Sequence, residues 1–243
     1  MALNRIKTAG LILVLLTTGC TEKDDLTLPV QVNLKIGIKE DSQAGNQYID
    51  ITGCRIAIYK IRFDGTREAG GSVFFETDPS ANLQPLNFSE NPATVSTFDL
   101  PQGIYDGMRW DISLKCLDDI GIDDGRHDGY PCLGILLSGN YTYLDGSVVP
   151  FVLAIDKPEQ FRVTASNPAG YSTIVLSVGT VYDAIVYFSA YDTFRSINRL
   201  LLEEAIVSGT TEEPIMIISS VQNGEMYKVL LFRLLLSTNI IVK

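Results

Sequence analysis

Apolar and polar side chains alternate with a period of two along much of this chain. The run Val30-Gln31-Val32-Asn33-Leu34-Lys35-Ile36-Gly37-Ile38-Lys39 does so over its whole length, the mark of a strand with one face buried. Similar alternation, or short apolar runs, predicts strands over 49–51 with 54–63, and over 72–76, 94–100, 108–115, 133–144, 147–155, 160–165 and 172–189. Asp64-Gly65 predicts a turn that ends the second long strand. Pro101-Gln102-Gly103 predicts a tight turn, and Asp145-Gly146 a hairpin. Residues 77–92, rich in Pro, Asn and Ser, read as a loop.

The period changes near Asp192. Phe194, Ile197, Leu200 and Leu201 fall at helical spacing, with Asp192 or Thr193 as N-cap. Asn223 can cap a second helix through Tyr227, Leu230, Leu231 and Leu234, after a short strand over 214–219. The end Asn239-Ile240-Ile241-Val242-Lys243 is β-branched and strand-like. Eight or more strands with regular turn signals predict a mainly β fold. The expected form is an antiparallel β-sandwich over 29–191, with two short C-terminal helices in a segment, 192–243, that packs on it.

The N-terminus reads differently. Arg5 and Lys7 precede an apolar core, Ala9 to Leu16, and then Thr17-Thr18-Gly19-Cys20. This is the three-part pattern of a secretory signal over 1–19, cut before Cys20, with that thiol as the lipid attachment site. The apolar run is far shorter than the roughly 20 residues of a membrane-spanning helix. Acyl chains contribute about 0.8 kcal/mol per buried methylene, so a multiply acylated Cys20 would hold the chain firmly at a bilayer. Residues 20–28 then form the lipidated Cys and its tether. Within it, Lys23, Asp24 and Asp25 resemble the surface-export signal of Bacteroidetes lipoproteins, which implies an outer-membrane location facing the cell exterior.

Charge narrows the partners. Without Arg5 and Lys7 the balance is 17 basic against 29 acidic residues, about −12. Such a chain repels phosphate backbones, so no nucleic-acid partner is expected. Cysteine is sparse after Cys20: Cys54, Cys116 and Cys132 remain. An exported chain can keep a disulfide. Cys116 and Cys132 flank a polar loop and are the natural pair, a bridge worth on the order of 3 kcal/mol by loop-closure entropy. Cys54 lies in an apolar strand pattern and reads as a buried free thiol.

One loop concentrates candidate chemistry. Asp118, Asp119, Asp123, Asp124 and Asp128 lie among three glycines in twelve residues. Hard oxygens on a flexible backbone are what Ca²⁺ takes. The spacing does not fit the helix-loop-helix calcium pattern, and the plainer reading is a solvated acidic loop. No other cofactor is expected. His127, the single His, lies in this loop among charged neighbours, which reads as a surface residue rather than a catalytic base. No P-loop, GxSxG or dinucleotide glycine pattern is present. Most aromatics alternate with polar residues, as core residues do; Tyr141, Tyr143, Tyr182 and Tyr187 are the candidates for a sugar-stacking face.

A family likeness emerges from the order of these parts. A lipidated Cys is followed by Val-x-Val-x-Leu, a long Ile-rich strand, and Phe98-Asp99-Leu100-Pro101-Gln102-Gly103-Ile104-Tyr105 leading into Arg109-Trp110-Asp111-Ile112. Over residues 20–190 the chain resembles the transthyretin-like β-sandwich lipoproteins of Bacteroidetes, which include surface lipoproteins and fimbrial subunits. The resemblance implies a transthyretin/Ig-like sandwich with a non-enzymatic surface role, and names no ligand. The expectation is a lipid-anchored binding or accessory module that contacts a glycan, host surface or neighbouring outer-membrane protein. The alternative is a structural subunit of a fimbria-like polymer, in which a terminal strand such as Ile240-Ile241-Val242 completes the sheet of the next copy.

Overall fold

The computed structural model describes residues 25–39, 48–77, 86–88, 91–116, 133–156, 160–195 and 197–243. Residues 1–24, with Cys20, Lys23 and Asp24, the acidic loop with His127, and Cys132 all lie outside them.

The chain is mainly β, as its alternation predicts. One sheet is built from β1 (Pro29–Lys39), β3 (Ile58–Arg67), β4 (Val73–Glu76), β6 (Ala93–Pro101), β7 (Gly103–Leu114), β10 (Gln160–Ser166), β11 (Ile174–Leu176), β12 (Tyr182–Ser189) and β15 (Asn239–Val242). Its order is β4-β3-β7-β10-β15-β12-β1-β6, with β11 also on β7. The second sheet holds β2 (Ile49–Ile56), β5 (Leu86–Phe88), β8 (Leu133–Thr142), β9 (Val148–Asp156), β13 (Val207–Gly209) and β14 (Pro214–Ile218), ordered β13-β14-β9-β8-β2-β5. A continuous apolar core runs through both.

The first sheet curls until its edges meet. Phe75 on edge strand β4 lies 4.5 Å, ring to ring, from Phe98 on edge strand β6. Phe63 joins them to Trp110, at 5.2 Å from Phe75 and 4.7 Å from Trp110. The sandwich is thus nearly a closed barrel, and closure shields strand edges that would otherwise invite pairing with other chains.

Most pairings are antiparallel, but β1 with β12, β10 with β15 and β14 with β9 run parallel. The C-terminal segment supplies a strand to two of these three: β14 enters the second sheet, and β15 sits in the middle of the first, between β10 and β12. Ile240 and Val242 point into the core. The terminal strand therefore pairs within its own chain.

Several local expectations change. The turn expected at Asp64-Gly65 is absent, and β3 runs on to Arg67. Arg109 on β7 reaches the Asp64 carboxylate at 2.8 Å. Gly65 lies under two rings, where an added Cβ would fall 2.8 Å from Phe63 and 2.9 Å from Tyr105. That glycine serves close packing rather than a turn. The long strand expected over 54–63 instead breaks at Ala57, where the chain passes from one sheet to the other. The helix expected behind Asp192 is two helices, α1 (Ala190–Phe194) and α2 (Arg199–Glu203). Asn198 interrupts them as an N-cap, its side chain accepting from Leu200 N at 3.0 Å. Three helices, not two, therefore follow the sandwich among the described residues.

The third, α3 (Gly224–Ser237), begins after Asn223, which is left-handed at φ 57°. Asn223 does not cap α3 with its side chain. Its side-chain amide donates to Ile206 O and Ile217 O, and its side-chain carbonyl accepts from Ile206 N. The residue ties the connections around α3 to the second sheet.

Candidate functional site

The first site is the end of the barrel where residues 25–28 meet it. Asp25 opens a turn in which its carboxylate accepts from Thr27 N and Oγ1, at 3.0 and 2.6 Å. Those bonds hold the Asp25 carboxyl below the usual carboxylate range. Gln102 then ties this segment to the β6–β7 turn: its side chain donates to Asp25 O (2.7 Å), and its backbone N–H to Leu28 O (2.8 Å).

Arg67, the last residue of β3, is the hub. Nη1 donates to Leu26 O at 2.7 Å and to Gln102 O at 3.1 Å, Nε to Gly71 O at 2.9 Å, and Nη2 to Gly70 O. One guanidinium thus joins the segment before β1, the β3–β4 turn and the β6–β7 turn, a use of the rigid five-donor fork that Lys could not reproduce. A cleft of about 300 Å³ opens beside it, lined by Leu26, Glu68, Gln102, Ile104, Val175 and Leu176.

The Leu-Pro-x-Gly-x-Tyr motif builds the floor of this end. Gly103 takes φ 140°, and Tyr105 folds back so that its hydroxyl donates to Pro101 O at 2.8 Å. Burial pushes the Tyr105 phenol up to about 12, against a smaller opposing pull from Arg67. The motif fixes the turn that holds residues 25–28.

A second cluster joins α2 to the β8–β9 hairpin. Glu203 Oε1 accepts from the buried Tyr141 hydroxyl and from Leu144 N at 3.0 Å. Arg199 lies 3.6 Å from the same oxygen, donates to Thr142 O at 3.1 Å, and stacks 4.9 Å over the Tyr48 ring. Tyr141 is pushed up to about 12 by burial and by its bond to Glu203. Tyr143 is raised by burial and then by Glu203 and Asp145. Oε1 is thus filled by the protein's own donors, which makes the cluster a clamp between elements.

The remaining candidates are placed as follows. Of the four tyrosines singled out for a stacking face, Tyr141 is buried, and Tyr143, Tyr182 and Tyr187 are half-buried. Tyr182 accepts from Ser177 N at 3.2 Å. Cys54 is a buried free thiol, its ionisation pushed up by burial. Cys116 is disulfide-bonded, and its expected partner Cys132 lies outside the described residues. So do Asp118, Asp119, Asp123, Asp124 and Asp128. Among the described residues no three His, Cys, Asp or Glu side chains converge to hold a metal ion, and no helix is long and apolar enough to cross a membrane.

Arg67, Glu203 and Arg199 are missed by the sequence reading, and Asn223, read there as a helix cap, uses its side chain to bind Ile206 and Ile217 instead. Only Asn223 carries a local signal, the Asn-Gly pair that marks a left-handed residue. Compared with known proteins, the chain matches no family model, no curated protein and no solved structure.

Proposed function

We propose that the protein is a lipid-anchored, non-enzymatic module of the bacterial cell surface. It would be held in the outer membrane through Cys20 and present its barrel to a glycan, a host surface or a neighbouring outer-membrane protein. The observation that carries this is the clamped tether. Arg67 and Gln102 bind Leu26, Leu28 and Asp25 by their backbone carbonyls, so a chain arriving from a lipid at Cys20 would enter at a fixed point on one end. The rest of the barrel then keeps a set orientation to the bilayer, which suits presentation of a binding surface. The likeness to Bacteroidetes sandwich lipoproteins and the Lys23-Asp24-Asp25 stretch support the same assignment.

The polymer-subunit alternative needs a strand to donate. The C-terminal strand sits between β10 and β12 of its own chain, which weighs against its donation and ranks that alternative second.

Protease treatment of intact cells tests the surface assignment. The expected result is release of a single species near the size of the mature chain. A ladder of multiples would favour the polymer. Full protection of the chain would put it on the periplasmic side and defeat the export reading of Lys23, Asp24 and Asp25.

A further inference from the structure

The end of the barrel that holds the tether also carries an uncharged apolar surface. Residues 167–181 contain no Asp, Glu, Lys, Arg or His, in a chain that is 20% charged. They form the turn after β10, strand β11 and the turn into β12. Four large side chains of this stretch face solvent: Tyr171 at 68% exposure, Val175 at 54%, Val178 at 49% and Val181 at 57%. Val175 stands opposite the exposed Ile104 in the β7–β11 pair, and both line the cleft with Leu26. Leu28, also exposed, is held beside Gln102. The apolar surface is therefore continuous with the point where the tether arrives.

We infer that this surface rests in the headgroup zone of the bilayer that holds the anchor, an inference that depends on the acylation of Cys20 proposed above. The tether is the reason to choose lipid over a protein partner. Five residue steps separate Cys20 from Asp25, and at full extension they reach about 17 Å. The Arg67 end of the barrel must then stay within that distance of the lipid. An uncharged stretch of Val and Ile with a Tyr suits the interfacial layer, where apolar side chains and amphipathic rings both find their medium. The charges at this end include Glu68 in the cleft lining, Asp25 and Arg67 where the chain from Cys20 arrives, Asp106 beside Tyr105, and Asp183 beside Tyr182. Acids outnumber bases among them, which disfavours strongly anionic lipid and fits a zwitterionic headgroup layer.

The test uses the full acylated chain in phosphatidylcholine vesicles, with and without bromine on the acyl chains. A bimane probe is attached at Val178→Cys or, as the reference, at Leu144→Cys in the β8–β9 turn, Leu144 being at 62% exposure the more open of the two. Cys54 is buried and does not compete for label. Bromine should cut the emission at position 178 by about twofold or more and leave position 144 unchanged, as an interfacial depth of several ångströms requires. Unchanged emission at 178, on a chain that still floats with the vesicles, would overturn the contact and leave the anchor standing. A chain that does not float has no anchor, and both proposals fall. A dimer cross-linked through the free thiol of the unlabelled Val178→Cys chain, with no quenching of the labelled one, would make a second copy the occupant and would also overturn the inference.

Discussion

Ile240→Ala probes the C-terminal strand most sharply. Ile240 is fully buried in β15, at the middle of the first sheet, and pairs with Val186 of β12 and Ala165 of β10. The substitution removes three carbons. Transfer alone costs about 2.4 kcal/mol at roughly 0.8 kcal/mol per methylene. The cavity left between two packed neighbours brings the loss to about 2–5 kcal/mol. Ile241, one residue on, points to the other face and is only half-buried, so Ile241→Ala should cost about 1 kcal/mol or less. Urea unfolding of residues 21–243, followed by circular dichroism, measures both. The expected result is a clearly lower midpoint for Ile240→Ala with an unchanged slope. Equal effects at the two positions, or a loss below about 1 kcal/mol at Ile240, would refute the insertion of β15 and restore it as a strand free to be donated.

Other predictions concern the two clusters and the sheet centre. Arg67→Met removes the donors to Leu26, Gln102, Gly70 and Gly71; it should cost about 1–3 kcal/mol and speed proteolysis near residues 25–29 in a timed digest, whereas Arg67→Lys should rescue little. In an absorbance titration of the tyrosines, Tyr105 and Tyr141, both pushed up to about 12, should stay protonated past about pH 11, where ordinary tyrosines have ionised. Glu203→Gln should bring the Tyr141 step down. Asp183 on β12 accepts from Lys35 at 2.6 Å and Asn33 at 3.0 Å. Burial pushes its carboxyl up, but those bonds and the charges of Lys35 and Lys243 outweigh burial and leave it lowered. A lowered folded-state value contributes stability that is present above the unfolded value near 3.9 and is lost as pH falls through the folded one. Asp183→Asn should therefore flatten the acid limb of a stability–pH curve below about pH 4, and an unchanged limb would contradict the pairing.

Legibility in the sequence follows the range of the interactions. Strands such as β1 and β7 alternate because one face meets a core and the other water, so each announces itself locally. Parallel pairings do not, since a period of two carries no information about the partner or its direction. β15 was readable as a strand, but its place between β10 and β12 depends on residues far away in sequence. Gly65 reads as a turn signal, and only the rings of Phe63 and Tyr105 above it make it a packing residue. At Asn198 the helical spacing of Ile197, Leu200 and Leu201 masked a cap that splits the helix. Arg67 and Glu203 look like any surface charges, because their acceptors and donors come from Leu26, Gln102 and Tyr141, dozens of residues distant. The Leu-Pro-x-Gly-x-Tyr turn was legible because its bond, Tyr105 to Pro101, closes within five residues.

A lipid on Cys20 is proposed to hold this barrel at its Arg67 end. The most direct measurement is the mass of the N-terminal tryptic peptide from membrane-extracted protein. The expected species is Cys20-Thr21-Glu22-Lys23 carrying acyl chains, and it should vanish with Cys20→Ala. An unmodified N-terminus on the membrane-extracted protein would overturn the anchor.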